Sequence, residues 1–527
     1  MSSEFESVPT SRELLDYFHD ARRRVLDEGR PEAVARQHGK GRLTARERVA
    51  RLCDADGFRE IGSLVEPQRD SPLHEGLVAP ADGVVIGTGQ VDGRPASVVA
   101  YDFTVAGGSS GKVGQQKLVR AIDRAIDCGM PLVLLLEGGG HRIQDGQDAR
   151  RFASASVTFQ ALSRLSGWAP VAAAMMGSTF AGHTNYAAMA DFVVMIRGAS
   201  AMGLAGPALV KAAIGEEIGQ EELGGASMHV DETGDAGLAV TGGEEAIAAI
   251  RRFLSYLPSN ARAEPPIRRS GDPAGRREGA LLDLVPADGR KTYDVRKVIA
   301  LIADRDSLFE LKPTYARNIV TCFARLDGRP VGFVASQPSR MGGMLDVKAC
   351  EKAAHFVALC DAFGLPLVYL VDVPGFVIGS AAERTGLARR SAKMLYELGR
   401  ATVPRISIVL RKGYGLAYLA MCGGRSFEAD AAVAWPTAEI CAMSIEGAVD
   451  VAFRRDYETA PDPDARRREL IDLFRSQRSA LRAAENFGID EVIDPRDTRR
   501  FLIETLAACP PRRRDRNPPK FRSIAPI

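Results

Sequence analysis

From about residue 80 onward, short apolar runs alternate with longer stretches of helical periodicity. Residues 83–87 and 96–100 read as strands, and residues 112–128 as a helix with Leu118, Ala121, Ile122 and Ile126 on one face. Residues 131–136 form an apolar run that leads into Gly138-Gly139-Gly140 and predicts a buried strand. A helix from about 148 to 165 follows, then a strand over 170–176. Strand–helix–strand alternation of this kind indicates a parallel sheet built from βαβ units, hence an α/β fold. Ahead of it, residues 11–29 carry Leu14, Leu15, Phe18, Val25 and Leu26 at helical spacing, with Gly29 as a stop. Thr44 and Glu47 make a capping box that opens a short helix through Leu52. These pieces predict a helical N-terminal arm. Residues 246–257 predict a helix that closes the first half.

The pattern occurs twice. Shifted by 235 positions, Asp92–Glu137 lies on Asp327–Asp372 without a gap. Asp92-Gly93-Arg94-Pro95 falls on Asp327-Gly328-Arg329-Pro330, Gly107-Gly108 on Gly342-Gly343, and Lys117 on Lys352. So long a period means duplicated domains, not a solenoid. The predicted organisation is an N-terminal domain over 1–258, a linker over 259–280 rich in Pro, Gly and charge, and a C-terminal domain over 281–527. From Cys509 the paired prolines predict an extended tail lying across a neighbouring surface.

Composition narrows the function classes. A chain of 527 residues suits two domains, and 45% hydrophobic with 26% charged residues is ordinary globular composition. A net charge of +2 predicts no general attraction to nucleic acid. The Arg150-Arg151, Arg276-Arg277 and Arg512-Arg513-Arg514 patches read as solvated surface. Eight scattered cysteines without a Cys-x-x-Cys pair predict no zinc site and no disulfide framework. A polar, acidic start argues against a signal peptide, and no apolar run suits a membrane span. The expectation is a reduced, cytoplasmic protein.

No phosphate loop, His-Glu-x-x-His or Gly-x-Ser-x-Gly motif is present. What remains is small residues where strands end: Gly177 to His183, and Gly413 to Tyr418. On the 235 register, Ala181-Gly182 falls on Leu416-Ala417. A small-residue turn from a strand into a helix presents bare backbone N–H groups, which stabilise a developing oxyanion. Tight strand–helix packing favours the same residues.

Asp102 to Ser109 (DFTVAGGS) resembles a segment of the carboxyltransferase (β) subunit of biotin-dependent acyl-CoA carboxylases, of the propionyl-/acetyl-CoA type. So do Thr44–Arg48, His141–Gly146, Gln220–Gly225, Asp372–Phe376, Arg411–Gly415 and Pro436–Ile440, in family order. The resemblance implies two tandem homologous crotonase-like (ββα superhelix) domains. It also implies that an acyl-CoA thioester enolate is held by backbone N–H groups of one half, while biotin, carried on a separate protein, is held by the other. The cofactor supplies the base, so the protein aligns reactants and stabilises two oxyanions.

Carried over, the catalytic donors are Ala181 and Gly182 for the thioester, and Leu416 and Ala417 for biotin. The acyl-CoA side comprises Gly138, Gly139, Gly140, His141, Arg142, Phe180, His183 and Gly206. Leu419 resembles a chain-length selector, and an apolar residue there implies a broader or longer acyl pocket, although plain core packing also accounts for it. The biotin side comprises Gly375, Phe376, Tyr414, Gly415 and Tyr418. Leu416 narrows the space beside the ureido ring, and Phe180, His141 and His183 are larger than is usual in the family. The imidazoles of His141 and His183 titrate in the right range for acid–base work, yet the mechanism needs neither. Glu222 and Glu439 read as loop anchors, and Lys112 and Lys117 either meet CoA phosphates or coat a helix. The implied partner is a biotin carboxylase/biotin carrier (α) subunit, and the implied assembly a homohexamer, a trimer of dimers. Two other readings stay open: a biotin-independent acyl-CoA decarboxylase on the same scaffold, and a non-catalytic subunit of a mixed complex.

Overall fold

A computed structural model describes residues 9–68, 72–153, 157–269 and 271–511. The expected extended tail and Arg512-Arg513-Arg514 lie outside the described residues, as do the side chains of Arg150 and Arg151 and the middle of the expected 148–165 helix. The chain divides into two compact units, one running to Ser255 and the other beginning at Tyr256.

In the first unit, helices α1 (Ser11–Val25), α2 (Pro31–His38) and α3 (Ala45–Leu52) form the N-terminal arm, and capping boxes at Thr10/Glu13 and Thr44/Glu47 open α1 and α3. The sheet runs in the order β1 (Arg59–Ile61), β2 (Val84–Val91), β3 (Arg94–Tyr101), β4 (Leu132–Gly138), β5 (Val171–Phe180), β6 (Phe192–Ile196) and β8 (Leu238–Val240), with β7 (Ala201–Gly203) beside the end of β5. The β1–β2–β3 pairs are antiparallel and the pairs from β3 to β8 parallel. Helix α4 spans Lys112–Cys128, and its Leu118, Ala121, Ile122 and Ala125 pack on Val99, Leu134 and Leu136 of the sheet. Four further helices matter below: α5 (Thr158–Leu165), α6 (Gly182–Ala188), α7 (Pro207–Ile214) and α8 (Gly243–Tyr256).

The second unit repeats the plan. Its sheet runs β16 (Glu491–Val492), β14 (Ala431–Ala434), β13 (Arg405–Tyr414), β12 (Leu367–Val373), β11 (Arg329–Ser336), β10 (Ile319–Leu326), β9 (Phe309–Leu311), with β15 (Glu439–Cys441) beside the end of β13. Its core gathers Val298, Ile299, Phe333, Leu370, Ile406, Trp435 and Leu502. The backbone carries the duplication closely: Asp92 and Asp327 both take φ 50°, and Gly107 and Gly342 take 62° and 63°. The expected linker is stitched along this unit, with Arg268 N–H donating to Gly328 O (2.9 Å), Arg325 to Pro266 O (2.8 Å) and Arg499 to Pro273 O (3.0 Å). Lys117 and Lys352 are buried, each donating to backbone carbonyls of its own unit, Ala81 and Val84 in one case and Lys312, Tyr315 and Ile319 in the other. A buried ammonium so occupied meets no CoA phosphate, which corrects the expectation for Lys117.

Both units bury a carboxylate at the end of the second parallel strand. Glu137 is fully buried and takes bonds from Arg48, Arg42 (2.8 Å) and Gln37 (2.9 Å), all from the N-terminal arm. Its counterpart Asp372 is gripped by Arg411 of the neighbouring strand β13 (3.0 Å). Arg411 also donates to the carbonyls of Pro286, Asp288 and Lys291. Arg411→Ala would leave Asp372 as a buried charge without its cation, and is expected to destabilise the chain by about 3–5 kcal/mol, read as a lower urea midpoint. Arg411→Met combined with Asp372→Leu should recover much of that loss; a single variant as stable as the wild type would remove the clamp from the account.

Candidate active site

The site begins where β5 stops. The strand runs four residues beyond the expected 176, because Ser178, Thr179 and Phe180 pair with β7. Ala181 then takes φ 57°, unusual for a residue with a side chain, and turns the chain into α6. Its N–H donates to Gly203 O at 2.9 Å. Ala181 is therefore not a free donor, which corrects its expected place in the hole. The bare groups are the next two, the N–H of Gly182 and of His183. They open α6, where no earlier helical carbonyl can reach them, and no other acceptor is recorded among the described residues.

The second unit builds the same corner. Strand β13 has the length of β5, and Val171 and Arg405 each donate their N–H to an aspartate, Asp191 and Asp430, both at 2.8 Å. Leu132 pairs with Val171, and Leu367 with Arg405. These pairs place Phe180 on Tyr414, and Ala181 on Gly415, whose φ is 61°. The register is thus one residue shorter here than over residues 92–137. Leu416-Ala417, the opening N–H groups of α9 (Gly415–Ala420), correspond to Gly182-His183 and not to Ala181-Gly182.

Around the first corner the structure gathers most of the expected residues. A Cβ on Gly140 would stand 2.9 Å from Phe180 O and 3.0 Å from the Ala181 methyl, so this glycine must be bare. Gly138 pairs with Thr179, while Gly139 faces open space. The Phe180 ring covers Gly203 and Gly206, the latter at the start of α7. His141 is half-buried, with Nδ1 beside the Gln115 amide and its ring edge-on to Phe152. Burial lowers its pKa. Arg142 is buried, paired with Asp82 and bonded to Ser109 O at 3.1 Å, so it braces the loop and is not offered to a ligand, a second correction. His183 is buried and packs at a tilt against Tyr101 (4.1 Å between ring centroids) and Tyr186 (5.6 Å). Burial pushes its pKa down to about 3. Tyr186 was not singled out from sequence, although its place four residues after Gly182 on one helix was a usable signal.

At the second corner Leu416 is 52% exposed and Leu419 half-buried. Gly375 O accepts from Leu345 N–H (3.1 Å), which sets Phe376 beside Leu345 as His141 is set beside Ser110. Tyr414 donates to Glu439 Oε2 (2.7 Å), and Arg478 pairs with the same carboxylate (2.8 Å), so Glu439 anchors the loop. The Tyr418 ring lies against Gly413 and Gly423, where side chains would collide with it. Among the described residues no helix is long and apolar enough to cross a membrane, and no group of three or more His, Cys, Asp or Glu is placed to hold a metal ion.

The family model for the carboxyl transferase domain matches residues 36–524. The chain is 42% identical over 487 residues to the methylmalonyl-CoA carboxyltransferase 12S subunit of Propionibacterium freudenreichii subsp. shermanii, covering 92% of each. It is 38% identical to the methylmalonyl-CoA decarboxylase subunit alpha of Veillonella parvula (98% of this chain, 100% of that one). It is 39% identical to the propionyl-CoA carboxylase carboxyltransferase subunit of Haloferax mediterranei (98% and 99%). The crystal structure of transcarboxylase 12S with methylmalonyl-CoA and methylmalonic acid bound, a hexamer, superposes with a TM-score of 0.93 at 39% identity (98% and 99%). With its two sheets and their matching corners, the chain belongs to the carboxyl transferase family and consists of two tandem crotonase-like α/β units.

Proposed function

We propose that this chain is the carboxyltransferase subunit of a biotin-dependent acyl-CoA carboxylase. The observation that carries the reading is the repeated corner, where the helix after each central strand opens on backbone N–H groups that have no acceptor among the described residues, Gly182 and His183 in the first unit and Leu416 and Ala417 among those in the second. In the first unit, Gly182 and His183 would receive the thioester oxygen. An enolate concentrates negative charge on that oxygen, so fixed donors bind it better than the ground-state carbonyl. In the second unit, Leu416 and Ala417 would hold the ureido oxygen of biotin, with Gly375, Phe376 and Gly415 beside it. Biotin on a separate carrier subunit supplies the carboxyl group and the base for the α-proton. Loss of one such donor costs about 10²–10³ in kcat.

The side chains agree with this division of work. His183, with a pKa of about 3, is too weak a base for an α-proton, and His141 is depressed as well and engaged by Gln115. Gly138, Gly139, Gly140, Phe180 and Gly206 would line the thioester side in the first unit, while Leu419 lies in the second. Helix α7 buries none of its residues fully, leaving Leu209 and Ile214 exposed, which suits a subunit interface and a homohexamer built as a trimer of dimers. All eight cysteines are free thiols, in keeping with a cytoplasmic protein. The reverse direction, decarboxylation, is the rival that the 38% identical methylmalonyl-CoA decarboxylase subunit alpha keeps in view.

Purified chain should carboxylate an acyl-CoA only when ATP, bicarbonate and a biotinylated carboxylase subunit are all present, measured as fixed radiolabelled bicarbonate over a panel from acetyl to long-chain thioesters. Release of CO2 from malonyl- or methylmalonyl-CoA by the chain alone would instead establish the decarboxylase, and failure of both a padding subunit. A pH series tests the weak base. His183 has its ordinary value of 6.5 when unfolded and about 3 when folded, so its stabilising contribution is present above 6.5 and is lost as pH falls towards 3. Over that window the wild type should lose up to about 1.4 kcal/mol per pH unit more than His183→Phe; equal slopes in urea titrations would show that His183 protonates normally.

A further inference from the structure

The hydrogen bonding of His183 does not close within the protein. The residue is 1% exposed, yet neither Nδ1 nor Nε2 has a partner among the described residues. The Nε2 of His141, also buried, has none either. Buried polar side chains are nearly always satisfied, so each exception calls for a specific cause. The position of this one supplies it. The His183 ring packs at a tilt against Tyr186, whose hydroxyl oxygen, bonded on one side by Thr158, lies 3.6 Å from where a Cβ on Gly182 would stand. The unpaired imidazole therefore belongs to a residue whose own N–H is one of the two proposed donors of the thioester hole, and a tyrosine hydroxyl borders the same spot. Phe159 against Tyr186 (5.3 Å) and Phe152 against His141 (5.8 Å) add apolar walls, and both phenylalanines are partly exposed. Apolar walls with a few convergent polar groups are the usual make-up of a small-molecule pocket.

We propose that His183 and Tyr186 form the polar floor of the acyl pocket, and that the preferred acyl-CoA carries a neutral hydrogen-bonding oxygen, a hydroxyl or a ketone, on its acyl chain. This rests on the reading of Gly182 and His183 as the thioester hole. A hydroxyl can donate to the bare imidazole nitrogen or accept from its N–H, whereas a plain alkyl chain leaves both unpaired. A neutral oxygen is favoured over a carboxylate because the imidazole stays uncharged to low pH. The nearby Arg142 is already committed to Asp82 and Ser109.

The test compares butyryl-CoA with 3-hydroxybutyryl-, 3-oxobutyryl- and 4-hydroxybutyryl-CoA. Affinities for the full chain are measured by calorimetry, and kcat/KM in the complete carboxylation mixture. At least one oxygenated thioester should bind about tenfold more tightly than butyryl-CoA, since a site built to bond an oxygen rejects the analogue that lacks it. His183→Phe should bring that ratio close to one, and His183→Asn, which keeps a donor and an acceptor, should retain most of it. Equal wild-type affinities for all four thioesters would overturn the proposal without recourse to any variant, as would a preference that survives His183→Phe. The two readings fail separately. If no thioester is carboxylated, the carboxyltransferase reading falls while the binding ratio still decides this one. If butyryl-CoA is carboxylated and bound as tightly as its oxygenated analogues, only this proposal falls.

Discussion

Two adjacent N–H groups must be held without a protein acceptor at the end of a central strand, and much of each unit follows from that requirement. An unpaired donor in a folded interior costs free energy unless a ligand satisfies it. The corner itself is also costly, since Ala181 sits at φ 57° and a non-glycine residue there costs about 1–3 kcal/mol. The sheet meets these costs by fixing the strand on both sides. Strand β5 lies between β4 and β6 with its first seven residues buried, and each fully buried Val, Leu or Met is worth about 1.5–3 kcal/mol. The strand ends where it does because its neighbours leave it no other path.

Duplication kept the corner and changed what braces it. The buried carboxylate behind the glycine loop is Glu137 in one unit and Asp372 in the other, and the cation comes from different places. In the second unit it is Arg411, on the strand that makes the corner. The structurally equivalent residue in the first unit is Gly177, where a Cβ would lie 2.4 Å from Glu137 Oε1. The longer Glu fills the space a side chain would take there, and its cations, Arg48 and Arg42, arrive from the N-terminal arm. The arm is thereby part of the first unit's active end, although nothing in its helical periodicity connects it with the site.

How much of this was legible in the sequence depended on whether the signal was local. Helix α4 was bounded at Lys112 and Cys128 because its apolar spacing and the following Gly129 are local facts. The capping box at Thr44 and Glu47 was legible for the same reason. The end of β5 was not, because Gly177-Ser-Thr-Phe180 reads as turn chemistry and becomes strand only by pairing with Ala201–Gly203. The one-residue slip between the halves was hidden too. It falls between β12 and β13, after the last identities that fixed the 235 shift, and only strand pairing exposes it. Lys117 looked like a cation free to meet phosphate or coat a helix, and Arg142 like an acyl-CoA contact, because their acceptors lie more than 30 residues away in sequence.

The two corners now differ in an informative way. At the matched positions the first unit has Gly182 followed by an inward imidazole, and the second has an outward leucine followed by a buried Ala417. Bulk at the first corner is buried, packed against Tyr101 and Tyr186. Bulk at the second stands in front, on a side chain still 52% exposed. A leucine that plugged the corner from within would be buried against it, and this one is not. Its N–H does not depend on the side chain, and covering the exposed half of Leu416 would favour whatever docks there by about 1 kcal/mol. On the proposal that Leu416 and Ala417 hold biotin, the exposed Leu416 side chain would be a contact for the incoming group and not a barrier to it.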